Sequence, residues 1–212
     1  MTPEKKIGFK QRVPASAFVE AVKEYLPESH IEPHRVIELL AGYFSGDYAR
    51  YRSMLHITAS LNNPELTEFI NKNRDELIRA SNIQGEALYI CFALLCARYS
   101  FCYDVAIEMS KLFRLQDVIT KELLVKPLSN KYGYNENVKR TMERFIAFAE
   151  EVNVIKRPTK STYEIQPKYR PQIPVTFELW KAVYKINQPL YEAEDNPELP
   201  FEPFFRYLDL LN

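Results

Sequence analysis

Two short groups of residues carry the polar chemistry that this chain can offer a partner. Asn137, Arg140, Thr141 and Arg144 recur at i, i+3, i+4 and i+7, with Lys139 beside them. On a helix that spacing places the four on one stripe. Arginine offers a planar fork to guanine edges or phosphate oxygens, and asparagine pairs with the adenine edge. The second group is Lys156, Arg157 and Lys160, three cations within five residues around Pro158. Cations at a hairpin tip suit the phosphate backbone, and contacts of that kind weaken as salt rises. Together the two groups are expected to bind double-stranded DNA, the helix entering the major groove and the hairpin holding the backbone. The plainer reading of the first group is a solvated face, because two arginines and a lysine are common on any exposed helix.

A helix and a hairpin must hold these side chains. From Met109 to Ile165 the patterns run helix, short strand, helix, tight turn, helix, hairpin, the order of a winged helix-turn-helix. Asp117-Val118-Ile119-Thr120 is the β-branched stretch where a first small strand belongs. Thr120 is positioned to cap a helix through Tyr132, with Leu123, Leu124 and Leu128 inward and Pro127 as a defect inside it. Gly133 supplies a turn and Asn135 an N-cap for a helix from Glu136 to about Val152. Val138, Met142, Phe145, Ala149 and Val152 form its buried stripe, at intervals of about 3.5 residues. Val154-Ile155 and Thr162–Ile165 are the strands flanking the basic tip.

The chain before this reads as short helices. Ser16 caps one through Leu26, stopped at Pro27; Pro33 opens another to Tyr43; a third runs from Ala49 to about Leu61. Pro64 opens a fourth carrying Leu66, Phe69, Ile70 and Leu77. From Gly85 to about Gln116 one long helix is expected, apolar nearly all round from Ala87 to Ala97 and hence central to a core. After Tyr163, Gln166–Pro174 reads as an extended connector and Thr176–Asn187 as an amphipathic helix. The acidic tract Glu192–Glu202 and the aromatic ending Phe204, Phe205 and Tyr207 follow. The expected fold class is all-α with a small β-wing. Its parts are a helical bundle over 1–85, a winged helix over 86–166 sharing the long helix, and a C-terminal extension over 167–212.

Composition supports a folded protein: 46% hydrophobic, 13% aromatic, with 5 Gly against 14 Pro in 212 residues. The basic start MTPEKKIGFKQR lacks an apolar signal core, and the apolar run Ala87–Ala97 is well short of the roughly 20 residues a spanning helix needs. A soluble, cytoplasmic protein without membrane contact is expected. Net charge is zero, but unevenly spread. Residues 117–170 carry 11 Lys+Arg against 7 Asp+Glu, a surplus of four where the winged helix falls. Residues 1–14 carry 4 against 1, and residues 171–212 carry 3 against 7.

Catalytic constellations are not apparent. Cys91, Cys96 and Cys102 lack C-x-x-C spacing and read as small core hydrophobes. His30 and His34 flank Glu32, but the order is not H-E-x-x-H and Pro33 separates His30 from the helix. No phosphate-binding glycine loop or nucleophile motif is present, so neither enzyme activity, metal nor cofactor is expected.

The stretch ALYICFALLCARYSFCYDVAIEMSKLF, leading through a short helix to NENVKRTMERFIAFAEEVNVIK and a wing, resembles the BrxA-type proteins of the BREX phage-defence systems. The resemblance covers about half of the chain and rests on order of elements and hydrophobic pattern. It implies a helical bundle similar to the antitermination factor NusB joined to a DNA-binding winged helix, acting as a non-catalytic accessory among the proteins of a defence complex. Two other functions fit the sequence. A protein-interaction scaffold would use the winged helix and the aromatics Trp180, Tyr184, Phe204, Phe205 and Tyr207. RNA binding would use the N-terminal bundle with Arg50, Arg52 and the basic leader.

Overall fold

The apolar run at the centre of the sequence becomes the centre of the core. In the computed structural model, which describes residues 7–167 and 169–187, it lies in a helix spanning Gln84–Arg98. The order before it is α1 (Ala15–Glu28), α2 (Pro33–Leu39), α3 (Asp47–Leu61), α4 (Thr67–Lys72) and α5 (Arg74–Ser81), and the central helix is α6. After it come α7 (Ser100–Phe113), β1 (Val118–Thr120), α8 (Lys121–Tyr132), α9 (Glu136–Glu151), β2 (Ile155–Thr159), β3 (Thr162–Ile165) and α10 (Pro174–Asn187). The described residues are mostly helical, with one small antiparallel sheet in the order β1-β3-β2.

The single long helix expected over Gly85–Gln116 is instead two, α6 and α7, which meet at Tyr99 with a bend of 118°. Tyr99 takes an extended conformation at the junction (φ −121°, ψ 100°). The fold can therefore surround the most apolar segment on several sides. Phe92 of α6 stacks on Phe145 of α9 with ring centroids 5.4 Å apart. It meets Trp180 of α10 edge-on at 5.3 Å. Phe148 of α9 reaches Phe18 of α1 at 6.3 Å. Aromatic pairs at such distances add stabilisation beyond area burial, about 1 kcal/mol each. Trp180 and Tyr184 are thus core residues, 3% and 9% exposed, and not an aromatic docking surface. Cys91, Cys96 and Cys102 are also fully buried, and burial pushes each thiol up. No single helix among the described residues is long and apolar enough to cross a membrane.

Several expected boundaries move. α1 begins at Ala15, so Ser16 is not its cap; the Ser16 and Tyr43 hydroxyls lie within hydrogen-bond distance of each other at 2.5 Å. Pro14 occupies the N-cap and has no side-chain donor or acceptor to offer. A distant carboxylate does the work: Glu151, at the end of α9, accepts from the Ala15 N–H at 2.7 Å and also pairs with Arg12. Pro27 lies inside α1, and α2 ends at Leu39 rather than Tyr43. The helix expected from Pro64 splits into a 3₁₀ turn, α4 and α5, with Asn73 outside helical geometry at the joint.

Downstream, a fully buried carboxylate repeats the device. Glu86 of α6, 0% exposed, accepts from the N–H of Ile173 at 3.1 Å, from the N–H of Gln172 and from the hydroxyl of Thr176. The two amides that lead into α10, which begins at Pro174, and the hydroxyl of Thr176 in its first turn are satisfied in this way, where buried unpaired donors would be costly. The tail residues Phe204, Phe205 and Tyr207, the tract Glu192–Glu202 and the leader lysines Lys5 and Lys6 lie outside the described residues.

Candidate nucleic-acid interface

The local signals that define α8 and α9 in the sequence hold. Thr120 accepts from the Leu123 N–H at 3.4 Å, and Asn135 accepts from the Val138 N–H at 3.1 Å, so each caps its helix. Gly133, between them, sits at φ +90°, which a side chain would resist. Val138, Met142, Phe145, Ala149 and Val152 are all buried, as their spacing predicts. Leu124 and Leu128 turn inward, but Leu123 does not: it is 45% exposed beside its capping residue.

α9 divides its polar residues between two surroundings. Asn137, Lys139 and Arg140 in its first turns are exposed. Arg140 keeps a 67% exposed side chain with Glu136 at 3.8 Å, too long for more than a loose pair. Thr141 is 2% exposed and does not share their surface. The expected stripe took α9 to have one narrow buried face, whereas the helix packs against α7, α8 and β2, and Phe92 lies on it as well. Arg144 is half-buried, and its charge acts on the imidazole of His56 in α3. Burial, and then Arg140, hold its guanidinium below the usual arginine range.

The basic hairpin is less available than its sequence suggests. Lys156 and Glu164 are register partners across β2 and β3, and their charged ends are 2.6 Å apart. Arg157 is only 25% exposed, pairs with Glu143 of α9 at 3.2 Å and lies over the Tyr163 ring at 5.6 Å. Lys160, between the strands, is exposed. Glu143 also receives Lys121 at 2.6 Å and the Tyr163 hydroxyl at 3.3 Å. It thereby ties the start of α8, the middle of α9 and the hairpin together. Sequence reasoning passed over Glu143, because nothing in its flanking residues shows that three elements converge on it.

Between α8 and α9 lies a groove of about 750 Å³, lined by Lys121, Lys126 and Lys139, by the carboxylates Glu122 and Glu136, and by Ser129, Tyr134 and Asn135. Lys126 and Tyr134 were not among the expected contacts. Both are exposed, Tyr134 by 78%. The groove places a flat aromatic ring beside cations, on the side of α9 that carries Glu136 and Lys139. Such a surface can hold phosphates by charge and a sugar or base by stacking. Among the described residues, no cluster of three or more His, Cys, Asp or Glu side chains could hold a metal ion. His30 pairs with Glu32 at 2.8 Å on the surface. Comparison with protein-family models, with curated proteins and with solved structures gave no match to this chain.

Proposed function

We propose that the protein binds double-stranded DNA without catalysing a reaction on it, and that β1 to β3 form a winged helix whose α9 enters the major groove. The observation that supports this best is the rigid presentation of Asn137, Lys139 and Arg140. Their side chains are exposed on the first turns of a helix whose opposite face is fixed by Phe92 and Phe18 through Phe145 and Phe148, Arg140 keeping only the loose pair with Glu136 at 3.8 Å. A groove-reading helix needs that combination of a locked body and exposed donors. Lys126 beside the groove and Lys160 on the hairpin are placed for phosphates, while Lys156 and Arg157 serve the hairpin itself. In the setting implied by the resemblance to BrxA-type proteins, this binding would make the protein an accessory factor of phage defence.

Gel retardation of a duplex tests the proposal: charge reversal at Lys139 and Arg140 together abolishes the shifted band, and an undiminished band overturns the assignment. One observation favours a second reading, docking of another protein. Leu115, Val118 and Leu123 are 84%, 46% and 45% exposed around β1, an edge strand of the sheet. A protein that only docks there is retained on a DNA resin no better at low salt than at high salt.

A further inference from the structure

A second recess, of about 380 Å³, opens at the bend between α6 and α7. Arg52 of α3 and Arg98 of α6 line it, with Gly8, His56, Tyr99 and Ser100. None of the ion pairs formed among the described residues includes Arg52, Arg98 or Arg144. Arg98 instead lies over the Tyr99 ring at 5.7 Å.

The remaining polar groups there are also donors. The backbone N–H of Lys10 donates to His56 Nε2 at 3.1 Å, which leaves the imidazole proton on Nδ1. This tautomer is assigned from the fixed direction of the backbone donor. Nδ1–H then donates to the Tyr99 hydroxyl oxygen at 2.7 Å, and the Tyr99 hydrogen is left to point at another acceptor. No side chain caps the 14-residue helix α7, so its first-turn amides and the positive end of its dipole sit beside Ser100 at the same recess. His56 is held neutral, its pKa lowered to about 4 by burial and then by Arg52, Arg144 and Arg98. The recess thus gathers guanidinium, hydroxyl and amide donors, and no carboxylate lines it.

We propose that this recess is a phosphate-binding site in which Arg52 and Arg98 grip the oxygens, the Tyr99 hydroxyl donates to a third, and Arg144 supplies charge from behind. Forked donors match a tetrahedral oxyanion, and a helix N-terminus favours the same ligand. Occupancy by phosphate does not depend on the DNA-binding reading; only one of its two sources does. A duplex reaching past α9 would bring a backbone phosphate to the site, and inorganic phosphate would occupy it alone.

The test uses the full chain titrated with inorganic phosphate at fixed ionic strength, following the amide signals of Gly8, Tyr99 and Ser100 by NMR. Saturable shifts at these amides, absent with chloride, are expected. Arg52→Gln with Arg98→Gln weakens the affinity by about tenfold or more, since each charge-assisted donor contributes measurably. Tyr99→Phe weakens it several-fold without removing a charge. If the double variant fails to fold, Arg98→Gln alone carries the test, because Arg98 is exposed. Shifts that never saturate, or that survive these substitutions unchanged, overturn the site. A second arm measures duplex binding. If the backbone is the source, the double variant lowers the salt slope by about two phosphates' worth of counterion release. Unchanged duplex binding with phosphate affinity lost assigns the site to free phosphate. Loss of duplex binding on charge reversal at Lys139 and Arg140 with phosphate shifts intact separates the two surfaces.

Discussion

The first turns of α9 and the β2–β3 hairpin carry similar cations and use them in opposite ways. Lys139 and Arg140 stand on an exposed surface, the nearest partner of Arg140 being Glu136 at 3.8 Å. Lys156 and Arg157 are neighbours in the sequence just as Lys139 and Arg140 are, yet Lys156 meets Glu164 at 2.6 Å and Arg157 meets Glu143 at 3.2 Å. The difference lies in what the fold sets opposite each side chain. Antiparallel register delivers Glu164 to Lys156, and the packing of α9 delivers Glu143 to Arg157. Charge available to a partner is the charge left after such pairing, which local composition does not reveal.

The sharpest way to break this comparison is charge reversal on the helix. Lys139→Glu with Arg140→Glu is expected to lower duplex affinity on the order of 100-fold in a fluorescence anisotropy titration, each contact being worth about 1–3 kcal/mol. A comparable loss from reversal at Lys156 and Arg157, with the fold intact, would invert the contrast.

Next in size is an acid effect at the far end of the α9 stripe, where Arg144 serves the bundle. His56 titrates near 4 when folded, lowered by burial first and then by Arg52, Arg144 and Arg98, against about 6.5 when unfolded. The unfolded chain therefore binds the extra proton between those values, so stability is full above about 6.5 and falls as the pH drops toward 4. The loss is on the order of 3 kcal/mol. Urea unfolding at stepped pH should show it, and His56→Gln should flatten that part of the profile; an equally steep profile in the variant would remove His56 from the account.

Glu143→Gln addresses the hairpin directly. Leaving Lys121 and Arg157 without their shared carboxylate is expected to cost roughly 2 kcal/mol, a Tm lower by about 5 °C by calorimetry. Its effect on the DNA salt slope should be slight if the hairpin cations are structural. The smallest effects belong to the lysines. Lys160→Ala should reduce the salt slope by about 1, while Lys156→Ala should leave it unchanged.

What the sequence revealed followed from whether a feature is local. The caps Thr120 and Asn135, the turn at Gly133 and the buried stripe from Val138 to Val152 need only neighbouring residues to be read, and each appears as expected. The break at Tyr99 left no signal. Apolar residues surround α6 on every side, so periodicity has no contrast there, and neither Gly nor Pro marks the joint. Thr141 and Leu123 were misplaced for a related reason: a helical stripe gives the direction of a side chain but not how many elements close around the helix. Arg52, Arg98 and Arg144 come from three helices far apart in the chain, and only the fold shows them acting on one imidazole.

The carboxylate of Glu151 at the start of α1 has a bearing on how the chain acquires its shape during synthesis. The bond spans 136 residues, so α1, once outside the ribosome, waits for the last turn of α9 before its leading amide meets that carboxylate. At about 5–20 residues per second that interval is on the order of 10 seconds. Until then the apolar face of α1, including Phe18, lacks its eventual neighbour Phe148. The bundle and the proposed DNA-binding unit therefore mature together, so a nascent chain stalled before α9 would expose a sticky, incomplete bundle to chaperones and proteases.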